Sequence, residues 1–136
     1  MERDAAERNS RPPVDKPADL AAVVLTHGHL DHVERLPLLV QAGFRGRIHG
    51  HPATLAIAEI VLRDSAKIAQ YARNSSFGMD DVDEVLRLFD PVPYRVQRTL
   101  AGGARLTLFD AGHILGSSSV LLESSSGTIL LSGDLG

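Results

Sequence analysis

Thr26-His27-Gly28-His29-Leu30-Asp31-His32 decides how this chain is read. Four residues with metal-ligand side chains, His27, His29, Asp31 and His32, fall within six positions, just after the apolar run 21–25. Three imidazoles and one carboxylate so close together offer neutral nitrogen donors plus an anionic oxygen, which is what a cation such as zinc takes. Any one of these residues alone reads more plainly as part of a solvated loop. The number of ligand-type side chains is what favours a metal site.

Working outward, residues 20–25 form a short continuous apolar run, the pattern of a strand covered on both faces, and the cluster follows at its C-terminal end. Residues 31–42 look helical. Pro37 is tolerable only in a first turn, so a break near Arg35 is predicted, and Gly43 stops the helix. Residues 46–50 are a strand candidate. A long helix is predicted over 53–73, with Ile57, Ile60, Val61, Ile68 and Tyr71 as its buried stripe. Asp64 on that stripe reads as a helix-edge carboxylate near Lys67 in preference to a support for the metal. After a polar break at 74–78, Asp80-Asp81 can cap a second helix that runs through Phe89, with Val82, Val85, Leu86 and Phe89 on one face, until Pro91 and Pro93 end it. Strands are predicted at 94–97, 105–109, 119–123 and 128–132, with turns at Gly102-Gly103 and 124–127. Residues 1–18, with Arg11-Pro12-Pro13 and Lys16-Pro17, read as a flexible lead-in to a domain over 19–136.

Two later stretches repeat the opening arrangement of an apolar strand followed by glycine beside a ligand-type residue. Strand 105–109 leads to Asp110-Ala111-Gly112-His113-Ile114-Leu115-Gly116, and strand 128–132 leads into Gly133-Asp134-Leu135-Gly136. A lone His113 or Asp134 would carry little weight, but three strand-end ligand groups in one chain are hard to reconcile with coincidence. His49 and His51 form a second His-x-His pair, read as structural because no carboxylate accompanies it in sequence.

Composition narrows the function classes. With 43% apolar and 23% charged residues, 136 residues can build one soluble domain with a core. A net charge of −3 and scattered arginines give no global attraction for nucleic acid. The absence of cysteine excludes disulfides and thiolate ligands and makes the cytoplasm the default compartment. No apolar run reaches the roughly 18–20 residues of a membrane span.

The run THGHLDH resembles the HxHxDH signature of the metallo-β-lactamase superfamily, and AGHILGS with SGDLG resembles its later histidine and aspartate motifs. Leu-Pro-Leu-Leu-Val, Gly-Phe-Arg-Gly, Pro-Ala-Thr and Asp64-Ser65-Ala66 are similar to the β-CASP branch, whose members are mostly RNA-processing and DNA-repair nucleases. The resemblance implies an α/β fold, part of an αββα sandwich. It also implies that His27, His29 and His113 hold one zinc, that Asp31 and His32 hold a second, and that Asp134 bridges the two. Asp31 and Asp134 would be the carboxylates closest to the chemistry, in which the metals supply a nucleophilic water of lowered pKa and neutralise charge on a phosphodiester of RNA.

Against the family pattern, the first strands, with their early aspartate, are missing before residue 20. The β-CASP cap and the later histidines, one of which completes the second zinc site, do not follow Asp134. The expectation is therefore a partial metallo-β-lactamase fold with one tight zinc and a weak or empty second site, poor RNA affinity, and sheet edges that favour aggregation. Three readings stay open: a zinc-dependent ribonuclease of the β-CASP type, a related hydrolase acting on a small ester, thioester or lactam, and a non-catalytic zinc-binding fragment.

Overall fold

A computed structural model describes residues 11–72 and 76–136. A 3-10 turn at Pro17–Asp19 leads into β1 (Ala22–Val24). There follow α1 (Leu30–Val33), α2 (Leu36–Gln41), β2 (Arg47–Gly50), α3 (Pro52–Ala72), α4 (Met79–Arg87), β3 (Phe89–Pro91), β4 (Arg98–Thr99), β5 (Arg105–Asp110), β6 (Ser118–Ser124) and β7 (Gly127–Leu131). The lead-in read over residues 1–18 lies partly outside the described residues. Within the described part, Pro17 is buried and the Arg35 guanidinium donates to the Arg11 carbonyl at 2.6 Å.

Two sheets are stacked. Strands β1, β2 and β3 form a parallel sheet in that order, linked by helical crossovers, as parallel neighbours require. Its one face carries Ile48 into a core with Leu36, Leu39, Val40 and Phe44 from the α2 region, Leu55, Ala58, Leu62 and Ala66 of α3, and Val82 and Val85 of α4. The opposite face turns Val24 toward Val92, Leu106, Leu108 and Val120 of the second core. That core belongs to the antiparallel sheet β4-β5-β6-β7. The molecule is thus a helix layer, a parallel sheet and an antiparallel sheet, the mixed α/β arrangement and partial sandwich implied by the sequence.

The register shows where the covering ends. Leu106 pairs with Leu122 and Leu122 with Ile129, while Leu108 pairs with Val120 and Val120 with Leu131, so these residues share one face. Leu106, Leu108 and Val120 are buried, yet Ile129 and Leu131 are exposed. Among the described residues, β1 has β2 on one side and no strand on the other, so the three-stranded sheet leaves β7 uncovered.

Several sequence expectations hold. The helix read over 31–42 breaks at Arg35, and Pro37 falls in the first turn of α2. Strands β5, β6 and β7 fall where alternation places them.

Others are corrected. The buried stripe of α3 is Leu55, Ala58, Leu62 and Ala66, whereas Ile60, Ile68 and Tyr71 face outward. The helix carries apolar residues on two sides, and the side with alanines packs into the core. The end of that helix read at Arg73 lies outside the described residues. Asp80-Asp81 does not provide the N-cap of α4. Gly78 holds that position, and the Asp81 carboxylate, three residues on, accepts the Gly78 N–H at 2.8 Å. The helix ends at Arg87, and Phe89 belongs to β3, paired with Ile48. Pro91 is tolerated there because it closes a short edge strand. Residues 94–97 are a turn and not a strand, with Arg95 at φ 62° and its N–H donated to the Leu108 carbonyl.

Candidate metal centre

The strand ends converge. His27 follows β1, His29 is the residue before α1, His32 lies within α1, His113 follows β5 and Asp134 follows β7. The His27 ring is 1% exposed and lies among the others: its centroid is 4.0 Å from that of His32, 4.8 Å from His29 and 5.0 Å from His113. The chain crosses closely here. The Ser118 N–H donates to the Thr26 carbonyl at 2.7 Å, and a Cβ on Gly133 would meet the Ser118 carbonyl at 2.9 Å and Thr26 Cβ at 3.0 Å. Glycine before Asp134 therefore lets the third ligand loop press onto the first.

Two donor groups result. His27, His29 and His113 form one; His27, His32 and Asp134 form the other, with the donor atoms of each group within 4.8 Å of one another. His27 Nε2 is 3.1 Å from His29 Nδ1, which is 3.4 Å from His113 Nε2. Nitrogens bound tetrahedrally to one zinc, at about 2.0–2.1 Å each, stand roughly 3.3 Å apart, so these separations fit the ion. Two imidazole lone pairs at such a distance repel unless a proton or cation lies between them. The donor set therefore suits a metal.

Asp134 Oδ2 is 3.7 Å from His27 Nε2, 3.8 Å from His113 Nε2 and 3.9 Å from His32 Nε2, within reach of both groups. Asp31 stands apart. Its side chain is 81% exposed and approaches His32 Nε2 at 3.6 Å, and it belongs to neither donor group.

Electrostatics keep His27 ready to ligate. Burial pushes its pKa below the usual histidine value of 6.5, the neighbouring His32 adds to this, and Asp134 opposes it. The neutral ring has a free lone pair. Its other nitrogen, Nδ1, lies 3.1 Å from the Thr26 hydroxyl oxygen, which can accept the ring N–H and so fix Nε2 as the donor. Ser117 shapes the His113 loop: its Oγ accepts the N–H groups of His113 at 3.0 Å and Ile114 at 3.2 Å. Neither support was found from sequence. Thr26 and Ser117 lie within the quoted motifs, but neither is a metal-ligand type, and the contacts they make form only on folding.

The second His-x-His pair is elsewhere. The buried His49 faces Asp90 at 3.4 Å, a carboxylate close in space and not in sequence. His51 precedes α3, accepts the Ala53 N–H through Nδ1 at 3.2 Å and stacks on Tyr94 at 4.0 Å. Neither belongs to the donor groups of the centre, and Asp64 is an exposed residue of α3.

Stacked sheets that gather histidines and an aspartate at their strand ends define an α/β protein built around a cluster of donors able to hold a metal. The chain belongs to the metallo-beta-lactamase superfamily, whose family description matches residues 9–136. It is similar to ribonuclease TTHA0252 of Thermus thermophilus, 40% identical over 129 residues that cover 95% of this chain and 29% of the relative. It is also similar to transcription termination factor FttA of Cenarchaeum symbiosum, 35% identical over 86% of this chain and 19% of the relative. A third match is cleavage and polyadenylation specificity factor subunit 3 of Dictyostelium discoideum, 33% identical over 85% of this chain and 15% of the relative. These names accord with the β-CASP resemblance, and the chain spans less than a third of each of these relatives. Among the described residues no helix is long and apolar enough to cross a membrane.

Proposed function

We propose that this chain carries the zinc-binding core of a hydrolase that cleaves phosphodiesters in RNA, a ribonuclease of the β-CASP type. The observation that carries the reading is the convergence of His27, His29, His113, His32 and Asp134 on one point at the sheet ends. When bound, zinc supplies Lewis acidity toward a phosphoryl oxygen and lowers the pKa of a water toward neutrality. His27, His29 and His113 would hold the first ion, with Asp134 as its anionic partner. His32 and Asp134 would hold a second, with Asp31 beside His32 in an exposed position. Asp134, within reach of both donor groups, would accept a hydrogen bond from a water held there, and Thr26 keeps the proton of His27 on the nitrogen facing away from the centre. An RNA substrate is supported by the relatives, two of whose names speak of a ribonuclease and of a cleavage factor. The cytoplasm is the proposed compartment.

A second reading is favoured by the place of Asp31. With that carboxylate outside both donor groups, the second ion is short of protein ligands, and the chain by itself would hold one zinc tightly without hydrolysing RNA.

The test is cleavage of a labelled RNA oligonucleotide with added zinc or manganese, beside D134N. Cleavage by the parent chain and its loss in D134N is the result expected of the ribonuclease. Tight zinc binding with equal, background rates in both proteins supports the second reading, and failure to bind zinc at all sinks both.

A further inference from the structure

We propose that Thr54 is a positioning residue of the metal centre, tying the loop of His27 and His29 to the loop of His113 so that their donors meet. This rests on the reading of the cluster as a metal site. Thr54 is the third residue of α3 and is fully buried. Its hydroxyl donates to the Gly116 carbonyl at 2.6 Å, across 62 residues of sequence.

The fit on both sides is tight. Gly116 has φ +80°, and a Cβ there would lie 2.6 Å from Thr54 N and 2.9 Å from Ala53 Cβ and Thr54 Oγ1. On the other side, a Cβ on Gly28, between His27 and His29, would lie 2.8 Å from Ile57 Cγ2 and 3.1 Å from the Thr54 carbonyl. The first turn of α3 is thus wedged between the two ligand loops, with no room for even a methyl group on either.

Other contacts brace the His113 loop. The Tyr94 hydroxyl donates to the Ser117 carbonyl at 2.7 Å, and Ser117 Oγ shapes the loop from within. Thr54 differs in holding Gly116 through its hydroxyl while its own backbone carbonyl lies against Gly28. What it sets is the 3.4 Å between His29 Nδ1 and His113 Nε2, a separation between residues 84 apart in sequence. The backbone bond from Ser118 to Thr26 survives any side-chain change, so losing the Thr54 hydroxyl loosens the centre without dismantling it.

The experiment compares T54V, which keeps the shape and removes the donor, T54S, which keeps the donor, and V85A in the helix-side core. Each is made in the full chain. Zinc affinity is measured by competition with a chelator, cobalt binding by its visible absorption, and stability by urea unfolding of the metal-free protein. T54V is expected to bind zinc roughly 10–100-fold more weakly, the usual cost of losing a group that orients a ligand, and to show an altered cobalt spectrum. T54S keeps both readouts, and V85A loses stability while keeping its affinity. Parent-like zinc binding by T54V overturns the proposal. So does an equal loss of affinity in V85A, which would make the effect one of general stability. If T54V does not unfold cooperatively, T54A carries the same comparison. A parent chain that binds neither metal refutes the metal reading itself, an outcome distinct from parent binding that T54V leaves intact.

Discussion

His27 belongs to both donor groups, while His29 serves only the first and His32 only the second. Replacing each by glutamine therefore has unequal consequences. A structural zinc binds with an apparent free energy of about 10–16 kcal/mol, so over four ligands each accounts for about 2.5–4 kcal/mol. At 1.4 kcal/mol per decade that is roughly two to three decades in Kd for one lost ligand. H27Q removes the buried ligand of the tight ion and is expected to weaken it by at least those two to three decades. H29Q weakens the tight ion by those two to three decades, and H32Q leaves it nearly unchanged. Asp31, exposed and close to His32, is outside both donor groups, so D31N is expected to change the tight affinity by less than about threefold.

Chelator competition gives the affinities, metal analysis after dialysis gives the stoichiometry, and far-ultraviolet circular dichroism checks that each variant is folded. The expected order of loss is H27Q, then H29Q, then H32Q and D31N together. A D31N chain as impaired as H27Q, or an H29Q chain that retains parent affinity, would refute the assignment of the two groups.

The two faces of α3 are separated by L62A and I60A. Leu62 is 0% exposed, so truncation is expected to cost about 2–5 kcal/mol in urea unfolding; Ile60 is 69% exposed, and I60A should stay within about 0.5 kcal/mol. A larger effect at Ile60 would restore the stripe read from periodicity. His49 makes stability depend on pH. Burial lowers its pKa below 6.5, Asp90 opposes this, and Arg98 and Arg47 add to it, so the folded chain holds the ring neutral while the unfolded chain protonates it near 6.5. Its contribution is complete above that pH and is lost as pH falls from there toward the folded pKa, because the unfolded chain then binds more protons. With chelator present, the parent should lose more of its urea midpoint between pH 7 and 5.5 than H49N does; parallel curves would remove His49 as the cause.

The centre was legible because its donors are local signals. Each ligand group follows an apolar strand and has a glycine beside it, and the motifs at 26–32, 110–116 and 132–136 carry all of the converging residues. The supports were not legible, because Thr54 meets Gly116 only after α3 has folded back over the sheet. Asp90 meets His49 only through the β2–β3 pairing. The face of α3 was misread for a related reason: periodicity finds an apolar stripe, but α3 has two, and which one is buried depends on how closely the helix approaches its neighbours. Phe89 was read into a helix because the apolar spacing of α4 continues past its last hydrogen-bonded turn, whereas pairing with Ile48 decides the matter.

The ligand loops differ in how firmly they are held, and this bears on how strongly each donor group would hold zinc. His27 is buried and follows a strand covered on both faces, between helices and the second sheet. His113 follows β5, paired on both sides by β4 and β6, and its loop is bonded to Ser117, Tyr94 and Thr54. Asp134 follows β7, an edge strand with Ile129, Leu130 and Leu131 all exposed, and its own side chain is 50% exposed. A metal site gains affinity when its donors are held in place before the ion arrives. The first group draws two of its three donors from the firmly held loops, while the second depends on Asp134. Where both groups take zinc, mechanical support as well as ligand count is expected to make the second the weaker site, and covering β7 should strengthen it more than the first.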